Sequence, residues 1–202
     1  MDMPRDMQAE ELSEQSDAAL LGRYAAGDPA AARHLTLRLV PRALGYAARL
    51  LGDAAEAEDV TQEAMLRLWR AAPGWRDGEA QVTTWLYRVV TNLCTDRLRS
   101  RKRRPQSTLD TAPEVPDGNP GPVAGMIEAD RMAALQAALD GLPDRQRQAV
   151  VLRHIEGFTN PEIAAVMDIG VEAVESLTAR GKRALAASLA GRREELGYDN
   201  ED

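Results

Sequence analysis

The residues with the strongest intrinsic chemistry are few. His34 and His154 are the only histidines, and Cys94 is the only cysteine. Neither histidine stands at a metal-ligand spacing from the other or from Cys94. No glycine-rich phosphate loop and no nucleophile elbow appears. A single cysteine gives neither a disulfide framework nor a multi-cysteine zinc site. His154, on a helix among arginines, reads as a surface histidine. Cys94 reads as a small core residue rather than a redox sensor. The sequence therefore argues against an enzyme, a metal centre or a bound cofactor.

Three other patterns carry chemistry of a different kind. Residues 97–104, Arg-Leu-Arg-Ser-Arg-Lys-Arg-Arg, hold six cations and no acid. One or two cations would satisfy a helix C-terminal dipole; this density favours phosphate binding. Next, Thr159-Asn160-Pro161-Glu162 is a capping box, Thr at the N-cap and Glu at N3. A short helix through Met167, a turn at Asp168-Ile169-Gly170 and a helix from 171 to about 190 complete a helix-turn-helix pattern. The plain alternative is an αα corner of a bundle. On the last helix Val174, Leu177 and Leu185 face the core. Glu172, Ser176, Arg180 and Arg183 lie on the side that would meet a major groove, and Arg180 and Lys182 are within reach of phosphates. Third, the polar side of helix 54–71 shows Glu58, Asp59, Gln62, Glu63 and Arg67. Carboxylates near a helix N-terminus account for the three acids. They leave Gln62 and the clean division of faces unexplained, and a protein-binding face would explain both.

The elements that position these patterns are helices. Aromatics are 4% with a single Phe, which speaks against a β-sandwich or barrel. Ala, Leu, Arg and Glu dominate, the composition of helices. The expected fold is all-α: two small helical domains joined by a flexible Pro/Gly linker, the second containing the helix-turn-helix. Residues 1–16 read as an acidic disordered arm, 17–104 as the first domain, 105–125 as the linker, 126–191 as the second domain and 192–202 as an acidic tail. The linker holds five of the eleven prolines. Asp17 is expected to cap a short helix, and Asp28 with Pro29 to start one running to Leu51 with a possible bend at Pro41. Gly52 ends that helix and Asp53 caps the next. Val60, Ala64, Leu68 and Ala71 line the apolar side of helix 54–71. Leu86, Val89, Val90 and Leu93 do so in helix 83–101, which Thr83 or Thr84 starts. Helices 126–140 and 144–156 lead into the capping box. No segment approaches the ~20 apolar residues of a membrane span, and the N-terminal residues lack the apolar core of a secretory signal. A cytoplasmic location is expected. The net charge of −7 is unevenly spread, an acidic arm against a basic stripe, and patches outweigh sums for nucleic-acid binding.

Segments AEAEDVTQEAMLRLWRA (55–71), TTWLYRVVTNLCTDRLRSRKRR (83–104) and LPDRQRQAVVLRHIEGFTNPEIAAVMDIGVEAVES (142–176) resemble the extracytoplasmic-function (group IV) bacterial sigma factors, in the family's order and spacing. The resemblance spans residues 17–190. It implies a factor that binds core RNA polymerase and directs it to promoters. It implies that Asp59, Gln62, Glu63 and Arg67 meet the polymerase. In the minus-ten DNA it implies that Asn92 reads a flipped-out base. The loop 73–82 with Trp75 would help form that base's pocket, and Arg88, Arg97, Arg99, Arg101 and Arg103 would hold phosphates. Trp85 and Tyr87 could stack on bases, with Trp85 equally suited to the core. The second domain would read the minus-thirty-five element through Glu172, Ser176, Arg180, Lys182 and Arg183. An anti-sigma factor is the implied regulator.

The chain departs from the family where Glu175, Leu177 and Ala179 replace common cations, and where Gly170 replaces a capping Ser. Gly181 inside the last helix should cost ~1 kcal/mol relative to Ala. Glu172 and Glu175 would suit cytosine amino groups. The acidic arm would either fold back on the basic stripe or be inert. The competing readings are a helix-turn-helix regulator acting alone on duplex DNA and an adaptor that binds no DNA. The first needs no single-strand-binding helix in a separate domain. The second leaves the cation run unexplained.

Overall fold

The computed structural model describes residues 15–76, 78, 81–103 and 122–190. The expected arm before Gln15, the expected linker up to residue 121, Arg104 and the expected tail lie outside the described residues. Within them every regular element is helical, with no strand.

Helix α1 (Asp17–Ala25) starts at Ser16, whose hydroxyl accepts the Ala19 N–H at 3.2 Å. Asp17, the expected cap, lies inside the first turn instead and pairs with Arg38 at 2.7 Å. Helix α2 (Pro29–Leu51) has Asp28 as N-cap, accepting from Ala30 and Ala31. The Arg23 guanidinium beside Asp28 holds its carboxyl below the usual range. Pro41 lies in the solvent-facing middle of α2, and the helix runs on through it. Gly52 ends α2 in the left-handed region (φ 63°), and Asp53 caps α3 (Ala54–Ala71) by accepting the Glu56 N–H at 2.9 Å. A short 3-10 turn (Ala72–Gly74) leads to α4 (Val82–Arg103).

These four helices bury Leu20, Leu21, Leu35, Leu39, Leu50, Val60, Leu68, Leu86, Val90 and Cys94. At about 25 cal/mol per Å² of apolar surface, each buried leucine contributes roughly 2 kcal/mol. Cys94 is a core residue as expected, and burial pushes its thiol up to about 12. A polar seam crosses this core. The Thr91 hydroxyl donates to the Tyr87 carbonyl (2.7 Å), so Tyr46 donates to Thr91 (2.9 Å).

The second set of helices is α5 (Pro122–Asp140), α6 (Asp144–His154), α7 (Asn160–Met167) and α8 (Val171–Ala190). Helix α5 begins four residues inside the segment expected to be linker, because Pro122 is tolerated in a first helical turn. Pro143 is the N-cap of α6 rather than its first residue. Leu139, Leu142, Leu152, Phe158, Ile163, Met167 and Val174 form this interior. The expected core residues Leu177 and Leu185 pack against it partly buried. The capping box forms: the Glu162 carboxylate accepts from the Thr159 hydroxyl (2.6 Å) and N–H (2.7 Å), and these two donors hold its titration below the usual carboxylate value. Its contribution is therefore present above the unfolded-state carboxylate range and lost as pH falls through the folded-state value. Glu162→Ala should cost about 1 kcal/mol in urea denaturation at pH 7, and wild type and variant should converge in acid.

Gly181 has a packing reason that outweighs its helix propensity. A Cβ there would lie 2.5 Å from Val150 Cγ2 and 3.2 Å from the Gln146 carbonyl, so α8 crosses α6 at backbone range. Gly22 in α1 has open space around it. Gly22→Ala should therefore stabilise by roughly 0.5–1 kcal/mol. Gly181→Ala should destabilise by ~1–3 kcal/mol in the same denaturation measurement.

Candidate nucleic-acid and protein interfaces

Helix α4 sorts its residues by angle. Leu86, Val90 and Cys94 face the core. At 100° per residue, Trp85, Arg88, Asn92, Arg99 and Arg103 fall within a sector of about 60°. Arg88, Asn92, Arg99 and Arg103 are exposed there. Trp85 is half-buried and meets Trp75 edge-on, ring centroids 5.9 Å apart. The Trp75 indole N–H is buried without a hydrogen-bond partner among the described residues. An aromatic corner thus stands two helical turns from the Asn92 amide on one side of α4.

The other expected phosphate ligands point elsewhere. Arg97 and Arg101 lie on the opposite side of α4, toward α3. Arg97 approaches Asp59 at 3.5 Å. Arg101 meets Asp53 (3.3 Å), Glu56 (3.1 Å) and the Leu51 carbonyl (2.8 Å). Arg101 thereby ties the end of α4 to the α2–α3 junction. Tyr87 is 1% exposed, so it presents no ring to a base in this conformation; period 3.6 places it beside the buried stripe.

Helix α3 shows two adjoining stripes. Asp59, Glu63 and Arg67 form one, with a Glu63–Arg67 pair at 2.8 Å that holds the Glu63 carboxyl below its usual range. Gln62 belongs to the other. With Glu58, Thr61, Met65, Leu66 and Trp69 of α3 and Val40 and Leu44 of α2, it lines an open apolar groove of about 330 Å³. Leu66 is 43% exposed, and Leu37, one turn before Val40, is 65% exposed. Sequence reasoning missed this apolar floor. Its signal was Leu66, an apolar residue standing outside the Val60–Ala64–Leu68 stripe.

In the helix-turn-helix, Asp168 turns the chain in the left-handed region (φ 54°) between α7 and α8. Glu172, Ser176, Arg180, Lys182 and Arg183 are all exposed on α8, as expected. The Arg180 Nε donates to the Ser176 carbonyl (3.2 Å), and Asn160 donates to Glu175 (3.5 Å). The first two turns of α8 carry acids and no cation. His154 is exposed, and partial burial with Lys182 and Arg153 nearby lowers its pKa.

The two helical sets pack on each other. Tyr87 and Phe158 rings meet at 4.7 Å, and the Tyr87 hydroxyl donates to Glu156 at 2.5 Å. Burial and the Glu156 carboxylate raise the Tyr87 pKa well above its usual value. Arg147, nearly buried, donates to the Leu50 carbonyl (2.7 Å) and the Asp140 carbonyl (2.9 Å). Gln148 donates to Thr95 (3.0 Å), Lys102 pairs with Asp144 (2.6 Å) and Arg88 with Asp168 (3.4 Å). Among the described residues no cluster of His, Cys, Asp or Glu suits a metal ion, and no helix is long and apolar enough to cross a membrane.

This geometry defines an all-helical protein with one nucleic-acid-suited helix, a separate helix-turn-helix and an apolar docking groove. Comparison with known proteins gives the class a family. The profile for sigma-70 region 2 matches residues 35–104, and that for sigma-70 region 4 matches residues 132–185. The ECF RNA polymerase sigma factor SigM of Mycobacterium tuberculosis (strain ATCC 25618 / H37Rv) is 36% identical over 177 residues, 87% of this chain and 86% of SigM. The structure of CnrH in complex with the cytosolic domain of CnrY aligns with TM-score 0.64 and 29% identity over 88% of this chain and 99% of CnrH. The sigma factor RpoE, in complex with the anti-sigma factor NepR from Bartonella quintana, shares the fold with TM-score 0.66 at 20% identity, over 78% of this chain and 96% of RpoE. The chain belongs to the sigma-70 family, among its ECF sigma factors.

Proposed function

We propose that the chain binds core RNA polymerase through α3 and carries it to promoters, with α4 reading the melted minus-ten strand and α8 the minus-thirty-five duplex. The observation that carries this reading is the α4 sector that aligns Arg88, Asn92, Arg99 and Arg103 beside the Trp75–Trp85 corner. An amide flanked by cations and aromatic rings suits an unstacked base on a phosphate backbone. The groove lined by Leu66, Met65 and Val40, with Asp59, Glu63 and Arg67 alongside, suits a partner helix with an apolar stripe and a charged rim. The protein has no catalysis of its own; it supplies specificity to the polymerase, in the cytoplasm. An anti-sigma factor, as in the RpoE–NepR complex, is the class of regulator we assign.

Run-off transcription with purified core polymerase and a promoter from the protein's own gene neighbourhood tests the reading. Promoter-specific transcript dependent on this chain supports it. No transcript, together with no co-elution with core, would leave the helix-turn-helix acting alone, and duplex binding without polymerase would then be seen.

A further inference from the structure

The contacts between the two helical sets fall on one line of α4. Arg88, Thr95 and Lys102, which meet Asp168, Gln148 and Asp144, are spaced seven residues apart. Seven residues rotate a helix by almost two whole turns, so the three share one stripe about 21 Å long. Asn92 lies only about 40–60° around the helix from that stripe. A strand laid over Asn92 and Arg88 would therefore run into α6 and the α7–α8 turn. At both ends of the stripe a carboxylate sits on a cation where a phosphate would otherwise sit.

We propose that the second domain is a built-in competitor for the promoter strand. Asp168 and Asp144 act as phosphate surrogates on Arg88 and Lys102, and the Tyr87–Glu156 hydrogen bond latches the closed form. This rests on the reading of α4 as the minus-ten helix. The Glu156 side chain is only 7% exposed, the Arg42 guanidinium donates to its carbonyl (3.4 Å) and Arg49 stands 3.9 Å from its carboxylate. The latch is thus set in a neutralising pocket. Geometry makes the closed form incompatible with promoter binding. Elements about 25 base pairs apart lie roughly 85 Å apart on straight B-form DNA, and two domains in contact through Arg88 and Asp168 cannot occupy both. The chain from Arg103 to Pro122 spans at most ~65 Å when extended, which lets the domains separate. In a two-state equilibrium, DNA affinity falls by the fraction of molecules that is open.

The test uses the full chain without polymerase, small-angle scattering for closure and fluorescence anisotropy with a labelled, mixed-sequence single-stranded 15-mer for binding. Wild type should scatter as a compact particle with a radius of gyration of ~17 Å. Tyr87→Phe combined with Gln148→Ala breaks the latch without changing net charge. Its radius should rise above ~20 Å, and its 15-mer affinity at least fivefold. Asp144→Asn with Asp168→Asn alters only partly exposed side chains and should act in the same direction. Asp130→Asn, away from the interface, controls for bare charge and should have little effect. An unchanged radius in both double variants, or a larger radius with unchanged affinity, would overturn the proposal. If Arg99→Ala with Arg103→Ala leaves 15-mer affinity unchanged in the opened background, the reading of α4 fails independently of closure.

Discussion

Leu66→Asp should weaken binding to core RNA polymerase by about 100-fold or more, with the fold intact. Leu66 is 43% exposed in the free protein, so the substitution has little effect on stability. It lines the apolar groove between α2 and α3 with Val40, Leu44 and Met65. Covering a leucine at an interface is worth roughly 1.5–3 kcal/mol. Burying an unpartnered carboxylate there costs several more. Together they exceed the ~2.7 kcal/mol of a 100-fold change. Titration of labelled protein with core polymerase reads the loss directly. Leu66→Ala should lie between, and Asp59→Ala should have a smaller effect, because Asp59 sits at the exposed rim and is shared with Arg97. A loss below threefold for Leu66→Asp would move the polymerase contact off the groove.

Asn92→Ala should reduce promoter-specific transcript by roughly 10- to 100-fold while leaving core binding unchanged. The side chain is exposed on α4, so its removal leaves no buried group unpaired in the free protein. A well-placed bidentate amide–base contact discriminates by about 1–3 kcal/mol. The defect should appear at strand opening, as reduced permanganate reactivity of minus-ten thymines. Asn92→Asp should be worse, because a carboxylate beside Arg88 and Arg99 repels phosphates as well as losing the donor. An Asn92→Ala protein that melts the promoter normally would remove Asn92 from base reading and leave α4 a phosphate-binding helix only.

The α4 cations illustrate how far the sequence could be read. The density of the run 97–104 was visible at once, and so was its suitability for phosphates. Its division was not. Arg99 and Arg103 share a face with Asn92, whereas Arg97 and Arg101 are held by Asp59, Asp53 and Glu56. Helical angle alone separates the two pairs, but the acids that hold the second pair lie on another helix. The cap of α1 shows the same limit at short range. Ser16 and Asp17 are both good caps, and the choice was made by Arg38, which takes Asp17 as its partner.

What the sequence by itself determined is local and periodic. Alanine and leucine content, caps at Asp28 and Asp53, the Thr159–Glu162 capping box and the apolar stripes specify helices and their inward faces. The signals lie within a few residues of where they act, so they survive without a partner. The tertiary structure decided everything that depends on residues far apart in the chain. It joined Val40 and Leu44 to Leu66 in a groove, set Gly181 against Val150, buried Tyr87 under Phe158, and placed Asp168 and Asp144 on the cations of α4. Such contacts are selected by packing and charge pairing summed over whole helices, and no local pattern records which of several exposed acids or apolar side chains will meet.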